Sequence, residues 1–164
     1  MVNTVINPKR LIYLHGLESS SQTYKAALLR NLFPGMLVPD FSGSLEERMA
    51  QLYPILGRRT GWTIIGSSFG GLMGALFTCQ HPAQVRKLVL LAPALTLPEF
   101  SKHLLPPVSV PTAIIHGRRD VIVPPEPVRA IAEKVFTNLT YQIVNDDHHL
   151  HETAKEMDWR TILE

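Results

Sequence analysis

Thr63-Ile64-Ile65-Gly66-Ser67-Ser68-Phe69-Gly70-Gly71 is the stretch that decides the fold. A short β-branched run ends in a glycine-framed turn, and a helix-length segment to Gln80 follows. A serine held in a tight strand-to-helix turn leaves little room two residues to either side. That frame separates the two adjacent serines. Ser68 has Gly66 and Gly70 at minus and plus two, whereas Ser67 would have Ile65 and Phe69 there. Gly71, Gly74 and Ala75 are small enough to let the next helix sit close to the strand and aim its N-terminus at the turn. A phosphate-cradling loop fits poorly. No Gly-Lys-Ser/Thr is present, and Gly70-Gly71-Leu72-Met73-Gly74 lacks the dinucleotide-binding spacing.

The same rhythm recurs outward from this turn. Arg10 to Leu14 ends at His15-Gly16, and Gly35 to Pro39 ends at Asp40. Lys87 to Leu91 ends at Ala92-Pro93, and Thr112 to Ile115 ends at His116-Gly117. Leu139 to Val144 ends at Asn145-Asp146. Continuous apolar runs, rather than alternating ones, predict strands buried on both faces. Helix-length segments lie between them: Ser21 to Phe33, Ser44 to Leu56, Gly71 to Gln80, Pro125 to Phe136 and His149 to Leu163. Ser44 and Glu47 have capping-box spacing. Strand–helix alternation predicts an α/β fold of three layers, α/β/α, with a mostly parallel sheet of about six strands. Residues 1–164 read as a single domain. Residues 94–111, with Pro98, Pro106, Pro107 and Pro111, read as a short cap-like or lid-like loop.

Composition agrees with a globular chain. Of 164 residues, 45% are hydrophobic and 18% charged, and mean hydropathy is +0.06, which excludes a disordered chain. Sixteen basic residues face fourteen acidic ones with no basic block, so no nucleic-acid partner is expected. The longest apolar runs fall far below the ~18 residues that span a bilayer, so no membrane partner is expected. Met1 to Arg10 has neither an apolar core nor a small-residue cleavage site, and Cys79 is the lone cysteine. The expected setting is the cytoplasm.

A serine hydroxyl is a weak nucleophile, so it needs a base, and the base needs an orienting group. Both belong at strand C-terminal ends, where an open α/β sheet forms its ligand crevice. Asp120 follows one such end, and Asp146-Asp147-His148-His149-Leu150-His151 follows another. The order is Ser68, Asp120, His148. Taken alone, Asp120 reads equally well as a turn residue, and the histidines as a solvated helix start. Asp146, Asp147, His148, His149 and His151 are also metal-ligand types, but their spacing matches no standard metal motif. Tyr13-Leu14-His15-Gly16-Leu17 can present a backbone N–H to a developing oxyanion, or be an ordinary strand-to-helix turn.

Together these segments resemble the α/β-hydrolase superfamily, and small lidless bacterial esterases within it. Leu11-to-Gly16 looks like the oxyanion-loop strand and Gly66-to-Gly70 the elbow. His116-Gly117-x-x-Asp120-x-x-Val123-Pro124 looks like the acid loop, and Asp147-His148 the histidine loop. The resemblance implies the strand order 2-1-3-4-5-6 for the six runs. It also implies a serine hydrolase cleaving a carboxylic ester of modest size, with no cofactor and no metal. Ser68 would be the nucleophile, His148 the base, Asp120 its orienting acid, and the N–H groups of Leu17 and Phe69 the oxyanion donors. Family register selects His148 over His149. A thioesterase is the alternative activity, and a non-catalytic small-molecule binder on the same fold the alternative class. The chain departs from the family in two places. The usual first two strands have no counterpart, and the usual cap is reduced to Ala94–Pro111.

Overall fold

The computed structural model describes residues 5–103 and 105–164. Five strands form one wholly parallel sheet in the order β1-β2-β3-β4-β5. They are β1 (Leu11–Leu14), β2 (Trp62–Ser67), β3 (Val85–Leu91), β4 (Thr112–Gly117) and β5 (Leu139–Val144). The helices are α1 (Tyr24–Leu32), α2 (Leu45–Leu56), α3 (Phe69–Gln80), a single turn α4 (Pro98–Ser101), α5 (Pro125–Val135), α6 (His151–Glu156) and α7 (Trp159–Leu163).

Side-chain alternation along buried strands divides the core in two. Ile12, Leu14, Ile64, Leu88, Leu90 and Ile114 face one layer with α2, α3 and α5. Leu11, Tyr13, Ile65, Val89, Leu91 and Ile115 face the other with α1, α6 and α7. Every residue of β1 and β2 is buried, as strands covered on both faces must be. At the sheet's edge β5 alternates half-buried and exposed residues along Leu139–Ile143. Eleven of the twelve residues of α3, Phe69 to Cys79, are buried, so this helix is covered all round. Each such leucine or methionine contributes about 1.5–3 kcal/mol of burial.

The sequence predicts about six strands, and the second of them shrinks to one bridge. Leu37 pairs in parallel with Ile12, exchanging hydrogen bonds through Tyr13 N to Leu37 O and Leu37 N to Leu11 O, 2.9 Å each. Gly35, at φ +94°, and Pro39 bracket the run and leave too few residues for a ladder. The bridge still lies on the outer side of β1, where the expected order places it. The last predicted helix is two helices. Met157 is extended, and Asp158 restarts the chain by accepting from Thr161 N at 3.2 Å. The capping box on α2 forms as read: Glu47 N donates to Ser44 Oγ and Ser44 N to Glu47 Oε2.

From β1 the chain runs outward through α1 to the Leu37 bridge, then returns through α2 to β2 on the other side of β1. The direction of winding therefore reverses beside β1. In open α/β sheets the ligand crevice lies at such a reversal, outside the strand C-terminal ends. The turns after β1 and β2 flank that crevice. Residues 94–111 pack down into the core through Leu95, Phe100, Val108 and Val110, with Leu97 and Leu105 against them. Leu104 of this segment lies outside the described residues, as do Met1–Thr4 of the N-terminal reading. Among the described residues no helix is long and apolar enough to cross a membrane.

Candidate active site

Ser68 stands between β2 and α3 at φ 54°, ψ −114°, a conformation that costs a non-glycine residue about 1–3 kcal/mol. The surroundings over-determine it. Ser68 N donates to Leu91 O at 2.9 Å, and its carbonyl accepts from Ala94 N at 3.0 Å and Leu72 N at 3.1 Å. The small-residue frame is steric. A Cβ on Gly66 would lie 2.5 Å from Gly70 O, and one on Gly70 would lie 2.0 Å from Leu14 O. Ser68 is half-buried, while Ser67, still in β2, is buried at 6% exposure. The frame argument and the exposure select the same serine.

The loop after β5 brings His148 to Ser68, with Nε2 3.0 Å from Ser68 Oγ. His148 Nδ1 lies 2.7 Å from Asp120 Oδ2. A carboxylate only accepts, so Nδ1 carries the proton and the Nε2 lone pair faces the serine hydroxyl. Asp120, on the turn after β4, has a fully buried side chain. Its Oδ1 accepts from Ile122 N at 2.9 Å and Val123 N at 2.8 Å. The structure thus gathers Ser68, His148 and Asp120 into one hydrogen-bonded chain. His149 is exposed, and His151 begins α6 with its ring 5.2 Å from Tyr24.

The other cluster residues are structural here. Asp146 Oδ2 accepts from Thr153 N at 3.0 Å and Thr153 Oγ1 at 2.7 Å, while Oδ1 accepts from Asp147 N at 2.7 Å. It caps α6 across the histidine loop. Burial alone would raise its pKa, but the Thr153 and Asp147 hydrogen bonds outweigh that and hold it below the ordinary 3.8. A depressed carboxyl stabilises the fold above 3.8, and that contribution is lost as pH falls through the lower folded value. Asp146→Ala is therefore expected to cost about 1–2 kcal/mol near neutral pH. The gap between variant and wild type should close on acidification below 3.8. Thermal unfolding across a pH series measures both; a gap independent of pH would show that the carboxylate's charge contributes nothing. Lys25, on α1, clamps the same loop by donating to His149 O. Burial pulls its pKa down to about 8, against the upward pull of Asp146 and Asp147.

The turn after β1 lies against the serine turn. A Cβ on Gly16 would sit 3.4 Å from Ser68 Cβ and 4.0 Å from Phe69 N. Phe69 opens α3, so its N–H has no intrahelical acceptor. Leu17 follows Gly16 and is 49% exposed. Val121 and Ile122, beside Asp120, are also exposed apolar residues.

Three neighbours escape a reading by motif. His116 is fully buried behind Asp120, with Nε2 3.1 Å from Asp120 Oδ2 and 2.8 Å from Val123 O. Its Nδ1 lies 2.8 Å from Tyr141 Oη. Burial pulls the His116 pKa below its ordinary value, opposed by the Val123 carbonyl and the Asp120 carboxylate. His15 and Arg48, both buried, reach the Gly16 carbonyl. His15 directly follows β1 and His116 is next to last in β4, and a histidine at a strand's C-terminal end is the signal that could have marked them.

A family model described as Uncharacterised protein family (UPF0227) matches residues 10–111, well over half of the chain. The chain belongs to that family. No curated protein sequence matches this UPF0227 member. Solved structures share its fold. Mouse alpha/beta hydrolase domain-containing protein 10 has 19% identity and a TM-score of 0.74 over 88% of this chain and 83% of that one. Est1E from Butyrivibrio proteoclasticus has 18% identity and a TM-score of 0.69 over 88% and 83%. An alpha-beta serine hydrolase homologue from Coxiella burnetii has 19% identity and a TM-score of 0.68 over 93% and 81%. The UPF0227 chain therefore has an α/β-hydrolase fold.

Proposed function

We propose that the protein is a serine hydrolase that cleaves a carboxylic ester of modest size through an acyl-enzyme. The observation that carries this is the relay from a strained, half-open Ser68 through His148 to a fully buried Asp120. Ser68 Oγ attacks the ester carbonyl as its proton passes to His148 Nε2. The oxyanion forms beside the N–H groups of Leu17 and Phe69. Collapse of the tetrahedral intermediate expels the alcohol, which takes the proton from His148. Water, deprotonated by His148, then attacks the acyl carbon; His148 returns that proton to Ser68 Oγ as the acyl–Oγ bond breaks and the carboxylic acid leaves. Asp120 holds the Nδ1–H of His148 throughout and faces the imidazolium whenever Nε2 carries the transferred proton. None of these steps calls on a metal or cofactor. The setting proposed is cytoplasmic.

Modest size is supported by residues 94–111, which bury Leu95, Phe100, Val108 and Val110 in the core instead of raising a wall above the serine. Exposed Leu17, Val121 and Ile122 offer apolar contact to a short acyl group. A fluorophosphonate probe should label the wild type and not Ser68→Ala. Among p-nitrophenyl esters of graded length, kcat/KM should peak at short chains. An unlabelled wild type that turns over no ester overturns the proposal. Faster turnover of short acyl-CoA substrates than of oxygen esters would move it to a thioesterase.

A further inference from the structure

We propose that His15 and Arg48 are positioning residues that set the orientation of the Gly16–Leu17 peptide, and with it one oxyanion donor. The inference rests on the hydrolase reading and concerns how its oxyanion site is held. A trans peptide is planar, with C=O and N–H pointing to opposite sides. Whatever fixes the Gly16 carbonyl therefore fixes the direction of the Leu17 N–H.

Two buried side chains hold that carbonyl. His15 is 1% exposed, and its Nε2 accepts from Phe41 N at 2.9 Å. The proton consequently sits on Nδ1, which donates to Gly16 O at 2.7 Å. Arg48 reaches the same oxygen from α2, with Nη1 at 3.5 Å, while its Nε donates to Gly43 O at 3.0 Å. Its guanidinium lies 5.4 Å from the ring of Phe69, the residue that carries the other proposed donor. Arg48 is 6% exposed, and among the described residues no carboxylate approaches within 4.0 Å of it. A buried cation held only by carbonyl oxygens is a costly device to keep for stability alone. Here its position gives it a use. Donors on a peptide carbonyl polarise the amide and strengthen its N–H as a donor.

The side chain that replaces each residue separates this role from packing. The amide of asparagine can stand where His15 Nδ1 stands; that of glutamine reaches the place of Nε2 instead. Removing one preorganised donor costs about 100- to 1,000-fold in kcat, so misdirecting one should cost about 10- to 100-fold. His15→Gln and Arg48→Met are expected to lose that much in kcat on p-nitrophenyl acetate, with KM changed by less than about threefold. Phenylboronic acid, which forms a tetrahedral adduct on serine, should bind more weakly by the same factor as the loss in kcat/KM. His15→Asn should recover most of the activity, and Arg48→Lys should fall between wild type and Arg48→Met. Should Arg48→Met fail to fold, His15→Gln and Arg48→Lys carry the test, with thermal unfolding as the control. Folded His15→Gln and Arg48→Met retaining kcat to within about threefold would overturn the inference. So would lost kcat with unchanged boronate affinity, or a His15→Asn as slow as His15→Gln. An active wild type with unaffected variants refutes this inference alone; a wild type that neither turns over esters nor takes the probe refutes the hydrolase reading too.

Discussion

Ser68→Ala is expected to lower ester turnover by about four to six orders of magnitude, while Ser67→Ala retains most of it. The two residues are neighbours and chemically identical, so the contrast isolates position. Ser67 closes β2 with its side chain buried, whereas Ser68 lies beyond the strand with Oγ on His148 Nε2. Alanine meets the same steric cost as serine at φ 54°, so Ser68→Ala should fold with an unchanged unfolding midpoint. Ser67→Ala loses a buried hydroxyl and should cost about 1 kcal/mol of stability with little effect on kcat. Burst kinetics and thermal unfolding of both variants provide the measurement. Equal loss of turnover in the two, with both folded, would remove the case for Ser68 as nucleophile.

What could be read in advance follows how local each determinant is. The serine turn was legible because half of its frame is local, a Cβ on Gly66 meeting Gly70 four residues on; the need for glycine at 70 comes from Leu14 and His15 after β1, which only the fold brings there. The capping box of α2 was legible for the same reason, with both partners inside one turn of chain. The Gly35–Pro39 run has strand-like residues, but its two ends cannot join a ladder, so it yields one bridge at the expected edge. The break at Met157 escaped because the following residues still read as helical and Asp158 carries its cap locally. The neighbours of the site escaped for a different reason. His116 meets Asp120 four residues on, but its other partner, Tyr141, arrives on β5. Arg48 lies in Leu45-Glu46-Glu47-Arg48, which in sequence is a solvated helix start. The packing of α2 in the fold brings it to the Gly16 carbonyl, 32 residues back in the chain.

Of the three histidines beyond β5, only His148 is expected to matter for chemistry. His148→Ala should cost several orders of magnitude in kcat, close to the loss in Ser68→Ala, and the double variant should be little worse than either. The reason is geometric. A base must meet the serine with one nitrogen and its orienting acid with the other, and His148 does so at 3.0 and 2.7 Å. Its neighbour His149 is exposed, and among the described residues the hydrogen bonds to Ser68 Oγ and Asp120 Oδ2 from this loop come from His148. His149 contributes its backbone carbonyl to Lys25, a contact that alanine keeps, so His149→Ala should lie within about threefold of wild type. His151→Ala loses an exposed ring contact with Tyr24 and should behave likewise. Added imidazole should restore part of the activity of His148→Ala, since that variant leaves a space lined by Ser68 and the Asp120 carboxylate. Steady-state kinetics on the three single variants, with and without imidazole, check the assignment. A dead His149→Ala beside a near-normal His148→Ala would shift the base by one residue and remove Asp120 from its proposed role.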